Sequence, residues 1–315
     1  MNAPLSSGRD TPNDYQRRFA GSWGANGAAE MNSPAIGQGR SVFFRQVVEP
    51  EDSTRLLVSG QNNRKIGKFV TVGRWKGFPI YTLTLEERAT CPKTCHHWKT
   101  CYGNTMPRAR RHKHGIELEK RLQSELGWMS REHPQGFVVR LHVLGDFYSV
   151  EYVEKWRDWL IRFPMLRVFG YTAHPPTSEI GEAVVRLRQE KWDRFAIRNS
   201  LPEFAPERAA ITFPPENEVP KGAFLCPAQR RDDKCCATCG ACWESDRTVA
   251  FMEHGKKRNA VDRKPREPRQ VGGLMLEHGK TATINGVAFK VNAVEITTKL
   301  NESGNSVRIV IEGTT

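Results

Sequence analysis

FVVRLHVLGDFYSVEYVEKWRDWLIRFPMLRVFGYTAHPPTSEIGEAVVRLRQEKWDRFAIRNS, running from Phe137 to Ser200, is the stretch that sets the fold class. Three strand-like runs, Phe137 to Leu144, Arg167 to Thr172 and Arg194 to Ser200, alternate with two segments whose apolar residues recur every three or four positions. Ser149 stands where an N-cap is needed ahead of Val153, Trp156 and Leu160, and Ser178 does the same ahead of Ile180, Val184 and Leu187. A serine oxygen there accepts a first-turn N–H that has no helical partner, so both segments are predicted helices. Strand, helix, strand, helix, strand is the order of parallel βα units, because a parallel neighbour is reached only by a crossover.

On the N-terminal side, Val42 to Val48 and Phe69 to Leu85 read as extended. Gly73, Gly77 and Pro79 break the second run into a hairpin, and its last arm, Pro79 to Leu85, leads into a cysteine loop. A helix is predicted from Pro107 to Met129, with Leu118, Leu122, Leu126 and Met129 on one face. Its basic first turn opposes the helix dipole and points to an anion at that end. On the C-terminal side, Ala210 to Phe213, Ala223 to Cys226 and Thr248 to Met252 are short apolar runs suited to completing a barrel or half barrel. The expected fold is α/β, a partial (βα) barrel with cysteine-rich metal loops at the C-terminal ends of the strands, plus a small C-terminal β appendage. The expected division is a disordered N-terminal arm over 1–40, the metal-binding domain over 41–255, a basic linker over 256–270 and the appendage over 271–315. Turns at Asn285-Gly286 and Ser303-Gly304-Asn305 mark the appendage.

All eight cysteines fall in two groups: Cys91, Cys95 and Cys101, then Cys226, Cys235, Cys236, Cys239 and Cys242. A chain of 315 residues can bury a core without disulfides, and there is neither an apolar signal core nor a run long enough to span a bilayer. A cytoplasmic protein is therefore expected, with its clustered cysteines kept as metal-binding thiolates. The run C-x2-C-x2-C at Cys236, Cys239 and Cys242, with Cys226-Pro227 as a remote fourth, suits an iron-sulfur cluster, and zinc tolerates the same spacing. Five cysteines compete for four places there, and the spacing favours Cys236 over Cys235. The first group has three thiolates, which leaves one metal position open for chemistry, or for His96 or His97 if the metal is zinc.

The formal net charge of +13 points to a polyanionic partner, with nucleic acid the default and no membrane expected. Arg108, Arg110, Arg111, His112, Lys113 and His114 form one basic block; Lys256, Lys257, Arg258, Arg263, Lys264, Arg266 and Arg269 form another. At the end of the first strand, Gly145-Asp146 offers close backbone approach and a carboxylate, a combination also found in plain turns. Arg140 and His142 share a face with Leu144 by strand alternation. The polar strand ends Tyr171, Thr172, His174, Arg198, Asn199 and Ser200 are where substrate contacts are expected. Trp98 and Trp243 beside the cysteines suit packing more than base stacking.

The motifs GRWKGFPIYTLTLEERATCP (Gly73 to Pro92), CYGN (Cys101 to Asn104), RLHVLGDFYS (Arg140 to Ser149), FGYT (Phe169 to Thr172), CPAQ (Cys226 to Gln229) and CGACW (Cys239 to Trp243) resemble the phage gene product 88 family, also carried by bacterial mobile elements. The likeness spans Ile66 to His254 and implies no particular activity. A more distant similarity is to radical S-adenosylmethionine enzymes, partial βα barrels with three cysteines after the first strand and a Gly-Glu after the second. It implies an open [4Fe-4S] cluster on Cys91, Cys95 and Cys101, S-adenosylmethionine contacts at Gly145, Asp146, Tyr102 and Arg198, and an auxiliary cluster on Cys226, Cys236, Cys239 and Cys242. Here the cysteine spacing is C-x3-C-x5-C with Tyr102 after the last cysteine, whereas that superfamily uses C-x3-C-x2-C with the aromatic before it. The expected function is an iron-sulfur enzyme of this kind acting on nucleic acid or a nucleotide. The alternative is a zinc-stapled nucleic-acid-binding protein without catalysis.

Overall fold

The computed structural model describes residues 33–200, 208–213, 217–229 and 234–252, and the backbone of strands between 269 and 314. Two compact units result, Met1–Asp262 and Arg263–Thr315. The first contains strands β1 (Val47–Val48), β2 (Val58–Ser59), β3 (Ile80–Thr82), β4 (Arg111–His112), β5 (Phe137–Leu141), β6 (Leu166–Thr172), β7 (Phe195–Asn199), β8 (Ala210–Phe213), β9 (Phe224–Leu225) and β10 (Val249–Met252). Its long helices are α1 (Ile116–Glu132), α2 (Val150–Arg162) and α3 (Glu179–Lys191).

The central sheet has the order β2-β3-β5-β6-β7, parallel throughout except for the edge strand β2. Both predicted caps are present: Ser149 Oγ accepts from Tyr152 N at 3.1 Å and Ser178 Oγ from Gly181 N at 3.1 Å. A second sheet, β8-β10-β9, is also parallel, and a single parallel bridge, Asn199 with Ala209, links it to β7. The architecture is thus mixed α/β with open sheets, and no closed barrel forms among the described residues.

Alternation along the strands sorts the core into two halves. Phe137, Val139, Leu141, Leu166, Val168, Phe195 and Ile197 pack with the buried faces of α1, α2 and α3. Val138, Phe169 and Ala196 point to the opposite face, where Ile66, Val70, Trp75, Ala237 and Trp243 cover them. A segment bearing cysteines therefore takes the place of helices on that second face.

Three local expectations are corrected. The helix predicted from Pro107 begins at Ile116, because Arg111–His112 instead pairs with β1 as a strand. Glu117 and Glu119 occupy its first turn and suit the dipole, so the argument for an anion at that end no longer holds. Arg140 and His142 do not share a face: β5 ends at Leu141, Arg140 lies over Tyr171, and His142 turns toward Phe147 and Tyr152 in the helix-side core. Residues 34–37, placed in the arm from sequence, form a helical turn with Ile36 buried.

The second unit is built of antiparallel pairs: β11 (Arg269–Val271) with β12 (Leu274–Leu276), and β13 (Thr281–Ile284) with β14 (Val287–Asn301) and β15 (Gly304–Thr314). Ile284 pairs with Val287 and Asn301 with Gly304, so Gly304 belongs to β15; the residues between each pair, on which the turns were expected, lie outside the described residues. The basic residues from Lys256 to Arg266 lie outside the described residues.

Candidate metal centres

The first cysteine group follows β3 through a buried polar turn. Glu87 accepts from Arg111 Nε at 2.6 Å and from Ser41 Oγ at 2.9 Å, with both members of the ion pair fully buried. Arg111 also donates to the carbonyls of Gly103, Met106 and Ala109, which ties the end of the cysteine loop to the chain before it. Arg88, at φ 67°, donates to Trp98 O at 2.9 Å and Asn104 Oδ1 at 2.7 Å. Arg111 and His112 are thus interior residues, which leaves Arg108 and Arg110 as the exposed arginines of that basic block.

Cys91, Cys95 and Cys101 are partly buried free thiols that sense one another electrostatically. Burial, with added repulsion from Cys101 and Asp146, pushes the Cys95 thiol up to about 12, and burial also raises Cys91 and Cys101. His97 Nε2 meets Thr212 Oγ1 at 3.1 Å and its Nδ1 meets Thr100 Oγ1 at 3.4 Å, so both ring nitrogens face hydroxyls. Tyr102 is 49% exposed beside this loop.

Gly145 and Asp146 do approach this group, though as packing. A Cβ at Gly145 would lie 2.6 Å from Thr90 Oγ1 and 2.7 Å from Leu85 Cβ, so the space the glycine leaves is filled by the chain itself. Asp146 is buried; Oδ1 accepts from Phe147 N at 2.8 Å and Oδ2 from Ala173 N at 2.7 Å, which cross-links the ends of β5 and β6. Burial raises its pKa while His174 and those N–H groups oppose the rise.

The second group covers the face opposite the helices. Two short helical turns, α4 (Cys236–Cys239) and α5 (Ala241–Glu244), join at Gly240 in the left-handed conformation, φ 68°. Trp243 is fully buried, stacked on Trp75 at 5.0 Å and edge-on to Phe169 at 4.8 Å, which anchors the segment to the sheet as a packing residue. Cys226, Cys235, Cys236, Cys239 and Cys242 line one small cavity beside it. Cys235 caps α4 together with Thr238, and its sulfur lies against Gly67. Cys236 senses Cys242 and Cys226 across the cavity. Burial pushes Cys226 up to about 11 and raises Cys236 and Cys242 as well.

Cations converge on this cavity. Arg198 is fully buried, and its five N–H groups donate to the carbonyls of Cys242, Ala209, Arg247, Ala241 and Ser245. Expected as a cofactor contact, it instead clamps the second cysteine segment and has no donor left over. Arg140 stands 4.6 Å over the Tyr171 ring, and Tyr171 Oη lies 3.0 Å from Cys242 Sγ. Lys65 is drawn below its ordinary value by burial, with Cys226 and Cys236 opposing. Lys65 went unnoticed in the sequence because it is far from the cysteines along the chain and carries no motif.

Among the described residues, no three His, Cys, Asp or Glu side chains close on a point as metal ligands do. By chemical type the five thiols of the second cavity are soft donors of the kind zinc and iron-sulfur clusters take, and Arg140, Arg198 and Lys65 lie near them. The first group follows β3 along the chain and lies beside Gly145-Asp146 beyond the end of β5, whereas the second covers a face of the central sheet, with Cys226 directly after β9. No described helix is long and apolar enough to cross a membrane.

No curated protein and no solved structure matches the chain. Residues 55–245 match the family described as Gene product 88, from the edge strand of the central sheet to the end of the second cysteine segment. That match covers well over half of the 315 residues and takes in both cysteine groups, and on that ground the chain belongs to the Gene product 88 family.

Proposed function

We propose that this protein is an iron-sulfur enzyme of the radical S-adenosylmethionine type, acting in the cytoplasm on nucleic acid or a nucleotide. The observation that carries the reading is the gathering of all eight thiols into two unequal groups, three and five, against an open α/β sheet, the five lining one small cavity. Read as a partial barrel, the Asn199–Ala209 bridge is where the first sheet continues into the second. Cys91, Cys95 and Cys101 would hold a cluster with one open position, and Cys226, Cys236, Cys239 and Cys242 an auxiliary one. When bound and reduced, such an open cluster supplies one electron to cleave S-adenosylmethionine. Tyr102, half exposed beside Cys101, is available to contact that cofactor. Asp146 can receive an ammonium group only through the lone pairs left over by its bonds from Phe147 N, Ala173 N and the Thr172 side chain.

A second reading, a zinc-stapled nucleic-acid-binding protein, draws support from the packing duties of Gly145, Asp146 and Arg198. Protein purified without oxygen separates the two. Iron with acid-labile sulfide, a brown colour and reductive formation of 5′-deoxyadenosine support the enzyme; zinc without iron supports the binding protein. Iron with no 5′-deoxyadenosine from the fully reduced protein refutes the radical chemistry.

A further inference from the structure

The segment from Gln61 to Ile80 carries Arg64, Lys65, Lys68, Arg74 and Lys76 and no acidic residue. Its second half is a hairpin: Ile80 N donates to Lys68 O at 2.8 Å, Val70 N to Phe78 O at 2.9 Å and Gly77 N to Val70 O at 2.8 Å. Strand alternation turns Val70 into the core and leaves its neighbour Phe69 46% exposed. Trp75, buried near the tip, stacks on Trp243 and donates to Asp193 O at 3.2 Å, while Thr71 N donates to Ala237 O at 2.9 Å. Phe69 is therefore an exposed ring on a backbone fixed from below.

The charge around that ring is one-sided. Lys68 Nζ lies 5.2 Å from the Phe69 ring centroid, and Lys76 is exposed on the same hairpin. Among the described residues, the carboxylate that meets the hairpin is Glu244, and Arg74 engages it through its backbone N–H at 2.8 Å and its guanidinium at 3.8 Å. An exposed ring flanked by cations suits a strand whose bases are unpaired, because a free base can stack on the ring while its phosphates meet the ammonium groups. A duplex keeps its bases stacked on one another and offers the ring no such face. We propose that the hairpin from Lys68 to Ile80 is a docking surface for single-stranded nucleic acid, with a base on Phe69 and phosphates at Lys68 and Lys76. This rests on the nucleic-acid partner common to both readings above, and it adds the form of that partner and the place where it lies.

Fluorescence anisotropy of the full-length protein with labelled single-stranded DNA, single-stranded RNA and the matching DNA duplex tests it; the tighter-bound strand identifies the sugar. Phe69→Ala should weaken single-strand binding about 5- to 150-fold, the loss of one base stacked on a ring, and leave duplex binding and the salt slope in place. Phe69→Trp should keep the affinity. Lys68→Ala with Lys76→Ala should reduce the slope of log affinity against log salt by about 1.4 for the single strand. Urea unfolding confirms that each variant folds, as substitution of exposed side chains should allow. A folded Phe69→Ala protein with unchanged single-strand affinity, or one that loses duplex binding equally, overturns the proposal while the nucleic-acid reading stands. Polyglutamate bound as tightly as the strand also overturns it, in favour of an acidic polypeptide. Wild-type protein that binds neither strand nor duplex removes the nucleic-acid partner as well.

Discussion

Replacing Arg198 by lysine keeps the charge and shortens the hydrogen-bonding reach. The guanidinium donates to five carbonyls, four of them in the segment from Ala241 to Arg247 that carries Cys242. An ammonium has three donors, so at least two of those carbonyls lose their partner in a fully buried place. Each hydrogen bond of this kind contributes about 1 to 3 kcal/mol once the unsatisfied group is counted, so losing two in Arg198→Lys should destabilise the fold by about 2 to 6 kcal/mol. Urea unfolding followed by tryptophan fluorescence measures this as a midpoint shift at constant slope. Hydrogen exchange should quicken in the segment from Ala241 to Arg247 and leave α2 unchanged. A midpoint shift worth less than about 0.5 kcal/mol, with unaltered exchange in that segment, would refute the clamp, because it would mean those carbonyls do not depend on the fork geometry of arginine.

Other outcomes follow from the same contacts. Gly145→Ala brings a Cβ within 2.7 Å of Thr90 and Leu85 at φ 85° and should lower stability by about 1 to 3 kcal/mol, measured by urea unfolding even in metal-free protein; a neutral result would reopen the glycine as a ligand approach. Burial holds His142 down to about 3 and His112 to about 4, against an unfolded value of 6.5, so the unfolded chain binds more protons between those limits. Stability from these neutral imidazoles is fully present above pH 6.5 and lost as pH falls toward about 4 and then 3; His142→Phe should flatten the acid limb of a stability–pH curve. If nucleic acid binds, Arg108→Ala with Arg110→Ala should reduce the slope of log affinity against log salt by about 1 to 2, while an unchanged slope would remove this loop from the interface.

Local chemistry explains why the crossover units were legible in the chain. Strand alternation and serine caps act within a few residues of one another, so the order of β5, α2, β6, α3 and β7 could be read without knowing their neighbours. The grouping of the cysteines was equally visible, because close spacing along the chain enforces closeness in space. The start of α1 was misread, since nothing near Arg111 and His112 shows that β1, more than sixty residues earlier, will claim them as a strand. The duties of Arg198, Asp146 and Arg111 were hidden for the same reason. A charged side chain at a strand end looks the same whether it awaits a ligand or caps distant carbonyls, and only the folded chain brings Ala241 to Arg198, Ala173 to Asp146 and Glu87 to Arg111. Which face of the sheet the second cysteine segment covers, and that Tyr171 reaches Cys242 there, likewise depends on contacts between residues far apart in sequence, which no local pattern encodes.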